Sequence, residues 1–398
     1  MTNPFDKLKG ILPPREIKIV KESPLERLIR LNKELEKEVV LSNDWHNKIP
    51  KLRKELYEQI SKRSGEYDAQ DISNLATALS FEESKNQITR GFYIGGLLSL
   101  LTKKNHLSKT KLEIDLQGRE FPYLLIGCKY VDTLKISNVK GNNIGSMIAS
   151  YNGNAGAISF DNVKGNDVGY GIASDKGNAG IILLNNVKGD YVGRGIAGSN
   201  GNAWLISFNN VRGRMVGYCI AYNNGNTEVT LFDNVKGNDI GRCIAGFEGN
   251  ARLISFNNVE GNDVGPAIAS NYGNAGVISF NKVKGRNVGS DIARNNGNAG
   301  VISFNDVEGN WIGSNIASNR GNAGVILFDN VEGDDVGSDI ASDYGKYNIL
   351  DIKGKYSSQV KQFIEEQRQK YQTNYDRKEL NKDIQEFIRS LRWIHLTN

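Results

Sequence analysis

The pattern of apolar and polar positions changes character twice along the chain. From Ser23 to Leu101 apolar residues recur at helical spacing. The run opens with Ser23-Pro24-Leu25-Glu26, where a Ser cap, a Pro at the first helical position and a Glu three residues on make a capping box. Leu25, Leu28, Leu31, Leu35 and Val39 follow at near-heptad intervals. A second stripe carries Trp45, Ile49, Leu52, Leu56 and Ile60 after Asp44, with Gly65 as its stop. Asp71 to Leu79 and Ser84 to Leu101 predict two further helices. Residues 1–111 are therefore expected to form a helical domain. Leu112-Glu-Ile-Asp-Leu and Tyr123-Leu-Leu-Ile-Gly-Cys then change to strand composition, and 112–133 is expected to be a degenerate capping coil.

From about Leu134 the pattern becomes a repeat of 24 residues that aligns without gaps through nine copies. Phe160, Leu184, Phe208, Phe232, Phe256, Phe280, Phe304 and Phe328 are each 24 apart, as are Val139, Val163, Val187, Val211, Val235, Val259, Val283, Val307 and Val331. Alternating runs such as Val301-Ile302-Ser303-Phe304 predict strands, and the Gly-Asn and Lys-Gly-Asn steps supply corners. Three short strands per coil is the expected division. One coil holds roughly five large apolar side chains, about 10 kcal/mol if fully buried. Ordering its backbone costs roughly 1–2 kcal/mol per residue. A single coil cannot stand alone, so coils must stack, at roughly 4.8 Å each. Residues 134–353 are thus expected to form a mainly β, parallel solenoid, followed over 354–398 by two helices carrying Val360, Phe363, Ile364, Leu380, Ile384, Phe387, Ile388 and Leu391.

Stacking turns equivalent residues into columns. Asn154, Asn178, Asn202, Asn226, Asn250, Asn274, Asn298 and Asn322 predict an amide ladder, and Asn162, Asn186, Asn210, Asn234 and Asn258 a second one interrupted by Lys282 and Asp306. If Ile302 and Phe304 face inward, alternation sets Ala157, Ile181, Leu205, Val229, Leu253, Val277, Val301 and Val325 outward. An apolar strip of that length should be covered, by the terminal helices, a second copy or a protein partner. Lys140, Lys164, Lys188, Arg212 and Lys236 form a column of cations suited to a polyanion such as a nucleic-acid backbone, unless each is simply solvated.

Three constellations invite chemistry and meet objections. Cys219 and Cys243 share one column in adjacent coils, within disulfide reach, but that column also holds Gly171, Gly195, Ala267, Asp291, Asn315 and Asp339 and so accepts many residue types. Asp291, Asp335 and Asp339 resemble the paired carboxylates of sugar chemistry, yet they sit at turns where solvated carboxylates are ordinary. The three His, at 46, 106 and 395, have no motif partners, and neither Gly-Lys step continues with Ser or Thr as a phosphate loop requires. No catalytic residue, metal site or cofactor is expected.

The 44 Gly are mostly punctuation inside the repeat. The net charge of +5 divides into 23 basic against 19 acidic residues before Leu134, 18 against 20 up to Lys353, and 9 against 6 beyond. The basic ends add a weak reason to consider nucleic acid. No apolar leader or spanning segment is visible, and three Cys are too few for a disulfide framework, so a cytoplasmic, reducing setting is expected.

The 24-residue register with Ile, Phe and Val inward, Gly-Asn corners and an Asn column resembles the parallel β-helix or β-solenoid superfamily. That group contains pectin-type lyases and glycosidases, adhesins and cytoplasmic scaffolds, and the resemblance carries over architecture but no catalytic residue. Its enzymes usually interrupt their coils with long loops that form a cleft, whereas nine coils here have no insertion. The expectation is therefore a non-enzymatic structural or interaction protein, with a carbohydrate-active enzyme or polysaccharide binder as the first alternative and nucleic-acid binding as the second.

Overall fold

The computed structural model describes residues 22–39, 49–105 and 110–351, together with Gln362. Trp45, the three His and the two helices expected after residue 354 lie outside the described residues. Helix α1 (Pro24–Glu38) begins where its capping box predicts: Ser23 Oγ accepts the Glu26 N–H at 3.2 Å, and the Glu26 carboxylate accepts the Ser23 N–H at 2.9 Å. Helix α2 covers Ile49–Arg63, and Gly65 follows it with φ +68°. Helix α3 (Ala69–Leu79) starts two residues before the expected Asp71, because Asp68 and Asp71 form their own reciprocal cap at 2.9 and 3.1 Å. Helix α4 (Gln87–Lys104) starts three residues later than expected, since Ser84 spends its hydroxyl on the Asn86 N–H and on Glu36.

These four helices close the first end of a parallel solenoid. Gly91 and Gly95 explain the apolar, glycine-containing window of α4: a Cβ at Gly91 would lie 2.0 Å from the Tyr123 carbonyl oxygen, and one at Gly95 would lie 2.9 Å from that of Ile126. Bare backbone is what lets the helix seat on the first coil. From α2, the buried Arg53 guanidinium donates to the carbonyls of Gly127 and Ser150 at 2.6 Å each and of Met147 at 2.9 Å, and to Ser150 Oγ at 3.1 Å. Desolvation pulls its pKa below the usual arginine value. The cation thus ties α2 to turn carbonyls of the first two coils.

The solenoid has about ten turns, with eleven parallel strands following one another along the stack. Registry is exact to the repeat: Tyr130 pairs with Asn154, Asn154 with Asn178, and so on to Asn322 with Lys346, always 24 residues on. The coil before the repeat is shorter, since Lys111 pairs with Thr133. Ile158, Phe160, Val163, Val168, Ile172 and their equivalents as far as Ile316 fill the interior at 0–1% exposure, while the last coil opens, with Val336 at 40%. The rings of Phe208, Phe232, Phe256, Phe280, Phe304 and Phe328 stack with centroids 4.7–4.9 Å apart and planes within 7° of parallel.

The division into three strands per coil does not hold. Each repeat has one principal strand, such as Asn298–Glu308 or Asn250–Val264, and a second side that pairs as a separate strand only in places, such as Lys236–Ile240 and Trp311–Ile312. The third side is a stack of turns. In one coil Tyr191, Gly193, Gly195, Ala197, Ser199 and Asn200 all have positive φ. Their N–H groups reach alternately to the next coil and the previous one: Tyr191 to Arg214 O and Gly193 to Val168 O at 2.9 Å, Gly195 to Tyr218 O at 2.8 Å, Ala197 to Ile172 O at 2.9 Å. The reason lies in the side chains. Val192 and Ile196 are both buried, and strand alternation would drag Arg194 inward with them, whereas the turns leave it exposed.

Positive φ in an L-residue costs about 1–2 kcal/mol, yet Ala149, Ala173, Ala197, Ala221, Ala245, Ala269, Ala293, Ala317 and Ala341 all adopt it. Those from Ala149 to Ala317 are fully buried, so the methyl group fills interior space that Gly would leave empty. The corner at Asn138, Asn162, Asn186, Asn210, Asn234 and Asn258 is likewise left-handed, with φ 52–54°, which explains the preference for Asn there.

Two outcomes test this packing. Gly241 has φ +66° and a Cβ there would lie 2.5 Å from the Phe256 ring, whereas a Cβ at Gly246 would meet nothing closer than 3.5 Å. Gly241→Ala is expected to destabilise the solenoid by roughly 2–4 kcal/mol and Gly246→Ala by under about 0.5 kcal/mol in urea unfolding; equal effects would contradict the interior placement. Arg53→Leu removes four hydrogen bonds to buried acceptors and is expected to cost about 3 kcal/mol or more, with the helical domain losing hydrogen-exchange protection first. Unchanged protection at the helix–solenoid junction would show that the cap does not depend on this side chain.

Candidate functional site

Four surfaces of the solenoid concentrate side chains in ways the core does not require. The first is the outward column of the principal strands. Ile181 is half-buried, while Leu205 is 6% exposed and Val229, Leu253, Val277, Val301 and Val325 are at 0–1%. With Trp204, Leu231, Leu327 and Ile349 they make a hydrophobic cluster separate from the interior one. The alternation of each strand accounts for the separation, since Ile302 and Phe304 face in and Val301 faces out. Substantial contacts of the described helices with strands run only to Lys111–Asp115 and Tyr130–Lys140, at the other end of the stack.

Beside this strip lies a feature that a search for repeats passes over. The column Gly156, Gly180, Gly276, Gly300, Gly324 is broken in three consecutive coils by Trp204, Glu228 and Arg252. Glu228 is 5% exposed and pairs with Arg252 at 2.8 Å. A depression of about 360 Å³ adjoins them, lined among others by Asn226, Thr227, Asn250 and Gly276. The signal was in the sequence as a departure from the repeat, and only the alignment of coils makes it visible.

The second surface is the Asn corner. The amide of each of Asn178, Asn202, Asn226, Asn250, Asn274, Asn298 and Asn322 donates to the carbonyl oxygen of the Asn one coil before it, at 3.0–3.2 Å. The other Asn corner is irregular: Asn162 bonds Asn138 at 2.6 Å and Asn210 bonds Asn186 at 2.7 Å, but Asn186 reaches Asp161 and Asn234 reaches Asn209 instead. A third run, Asn305 to Asn281 to Asn257 to Asp233, was not anticipated.

The third surface is the cation column. Lys140, Lys164, Lys188, Arg212 and Lys236 are all exposed and stack in consecutive coils. Carboxylates stand at both ends, Glu120 bridging to Lys140 by backbone and Glu260 pairing with Lys236; the next cation, Lys284, pairs with Glu308. A groove of about 620 Å³ runs alongside, lined by Asn138, Asp161, Asn162, Asn186, Val187, Lys188, Asn210 and Arg212. Its walls are polar and cationic, which suits an extended anionic or hydroxylated chain better than a small apolar ligand.

The fourth is the acidic end. Asp291 pairs with Arg294 at 3.0 Å, and Asp339 is exposed two coils away. Asp291, Asp335 and Asp339 line neither depression. In the turn stack, Cys219 and Cys243 are brought together as adjacent members of one column and are both partly accessible. Among the described residues, no three His, Cys, Asp or Glu side chains group as a metal site, and no helix is long and apolar enough to cross a membrane. No protein-family model, curated protein or solved structure matches this chain.

Proposed function

We propose that this chain is a non-enzymatic structural or interaction protein: a stiff solenoid rod whose outer apolar strip is an intramolecular docking surface and whose helical end mediates assembly. The observation that carries the reading is the strip itself. Six outward side chains from Leu205 to Val325 are at most 6% exposed in a single chain. At about 1.5–3 kcal/mol for each buried Val or Leu, leaving them in water would forgo on the order of 10 kcal/mol, comparable to the whole net stability of a typical domain. A surface of that value has to be closed.

The chain offers its own closure. Ile349 is the last described member of the strip, on the strand Lys346–Asp351, so the segment 352–398 begins beside the strip. Its sequence carries Val360, Phe363 and Ile364, then Leu380, Ile384, Phe387, Ile388 and Leu391, at spacings that predict amphipathic helices with one apolar face each. Two such helices of about fifteen residues span roughly 22 Å each, and eight coils rise roughly 34 Å. Placed end to end, two such helices are long enough to run the length of the strip. Uninterrupted coils support a rod rather than a catalytic cleft, and the Asn corner and cationic groove remain as faces for a partner.

Removing residues 352–398 tests the docking directly. The full chain is expected to bind little of an environment-sensitive apolar dye, and the truncated chain to bind several-fold more and to self-associate in sedimentation, with its β-rich circular dichroism kept. A truncated chain that stays monomeric and leaves dye fluorescence unchanged would refute the C-terminal residues as the cover.

A further inference from the structure

The turn stack presents identical backbone positions one coil apart, and at one of them two successive coils carry Cys. Cys219 and Cys243 have φ 58° and 59°, so their side chains leave equivalent backbones in the same direction. The Cys219 N–H bonds the Arg242 carbonyl of the next coil at 2.9 Å, which fixes the two turns against each other. Neighbouring coils are 4.7–4.9 Å apart at the stacked rings, inside the Cα separation of roughly 4.4–6.8 Å that a disulfide spans. Both thiols are partly open to solvent.

Their surroundings divide the roles. The neighbouring Cys219 thiol is the largest influence on Cys243 and, with the Arg242 guanidinium beside it, brings Cys243 down to about 7 against the opposing effects of burial and Asp239. Cys219 is pushed up as the proton-holding partner, with Tyr218 and Arg194 facing it and Tyr222 nearby. Cys128 is a built-in contrast. It is fully buried against Ser99 at 3.3 Å and desolvation raises it to about 11.

We propose that Cys219 and Cys243 form a redox-active dithiol that hydrogen peroxide converts to a disulfide between coils and that a small thiol such as glutathione returns to the reduced pair. The Cys243 thiolate attacks one peroxide oxygen; the O–O bond breaks and the departing hydroxide takes a proton to become water. The resulting sulfenic acid is then attacked by the Cys219 sulfur, the S–O bond breaks, and the leaving hydroxide takes the Cys219 proton as a second water. Two thiols lose two electrons and one peroxide gains them. Two glutathione molecules reverse the bond by exchange and leave as glutathione disulfide. The product staples a 24-residue loop, fastening two neighbouring coils in the middle of the rod.

The test uses the reduced full chain treated with equimolar hydrogen peroxide at pH 7, read by intact mass and peptide mapping. The expected result is a loss of two hydrogens located to a Cys219–Cys243 crosslink, with Cys128 still free, and full recovery with glutathione. Cys219→Ala should leave a sulfenic acid on Cys243 that dimedone traps, and should move the midpoint of Cys243 alkylation against pH upward from about 7. Ala already occupies this column at Ala267, so the variant keeps a residue the coil accepts. Three thiols of equal reactivity, a crosslink only between molecules, or an alkylation midpoint that does not move in Cys219→Ala would overturn the proposal.

Discussion

Registration of equivalent residues at the coil spacing governs this molecule. Each coil is too small to bury its own apolar residues, and it becomes stable only when the next coil supplies hydrogen bonds and ring faces at the same positions. The Phe stack, with centroids 4.7–4.9 Å apart, and the Asn amides, bonded at 3.0–3.2 Å, are two readings of that one constraint. Because the spacing is set by the backbone, a side chain that departs from its column is exposed as an event. Trp204, Glu228 and Arg252 in a glycine column, and Cys219 and Cys243 in a column of mostly small residues, are such events.

The same constraint explains how irregular backbone is tolerated. On the third side of the coil, alternating positive φ would be costly for an isolated chain. Here residues such as Tyr191, Gly193, Gly195 and Ala197 give their N–H to a neighbouring coil, and the turn geometry turns Val192 and Ile196 inward while leaving Arg194 in water. The two ends need special treatment, since an end coil has unpaired groups on one side. At the first end the helices supply it, seated on the first coils through Arg53 and the glycine face of α4.

Much of this was legible in the residues and some was not. The 24-residue period, the inward Phe and Val columns and the outward Val and Leu strip follow from spacing and alternation alone, because both are properties of an extended backbone repeated in register. The capping box at Ser23 is legible for the same local reason. The turn stack was not, because Val-Gly-x-x-Ile-Ala has strand-like composition and only the exposed residue between Val192 and Ile196 betrays it. Arg53 was illegible because its partners, Gly127, Met147 and Ser150, are carbonyls more than seventy residues away. The irregular Asn corner escaped for a related reason: an amide can reach a neighbouring column as easily as its own, as Asn186 does toward Asp161.

Distances along one column measure the registration most directly. With Cys219 and Cys243 replaced by Ala, spin labels at Lys164 paired with labels at Glu260, Glu308 or Glu332 lie four, six and seven coils apart by the 24-residue register. Pulsed electron resonance should return backbone separations of roughly 19, 29 and 34 Å, rising linearly at about 4.8 Å per coil. Separations that do not grow in proportion to coil number would contradict the stack, and with it the strip, the amide column and the paired thiols.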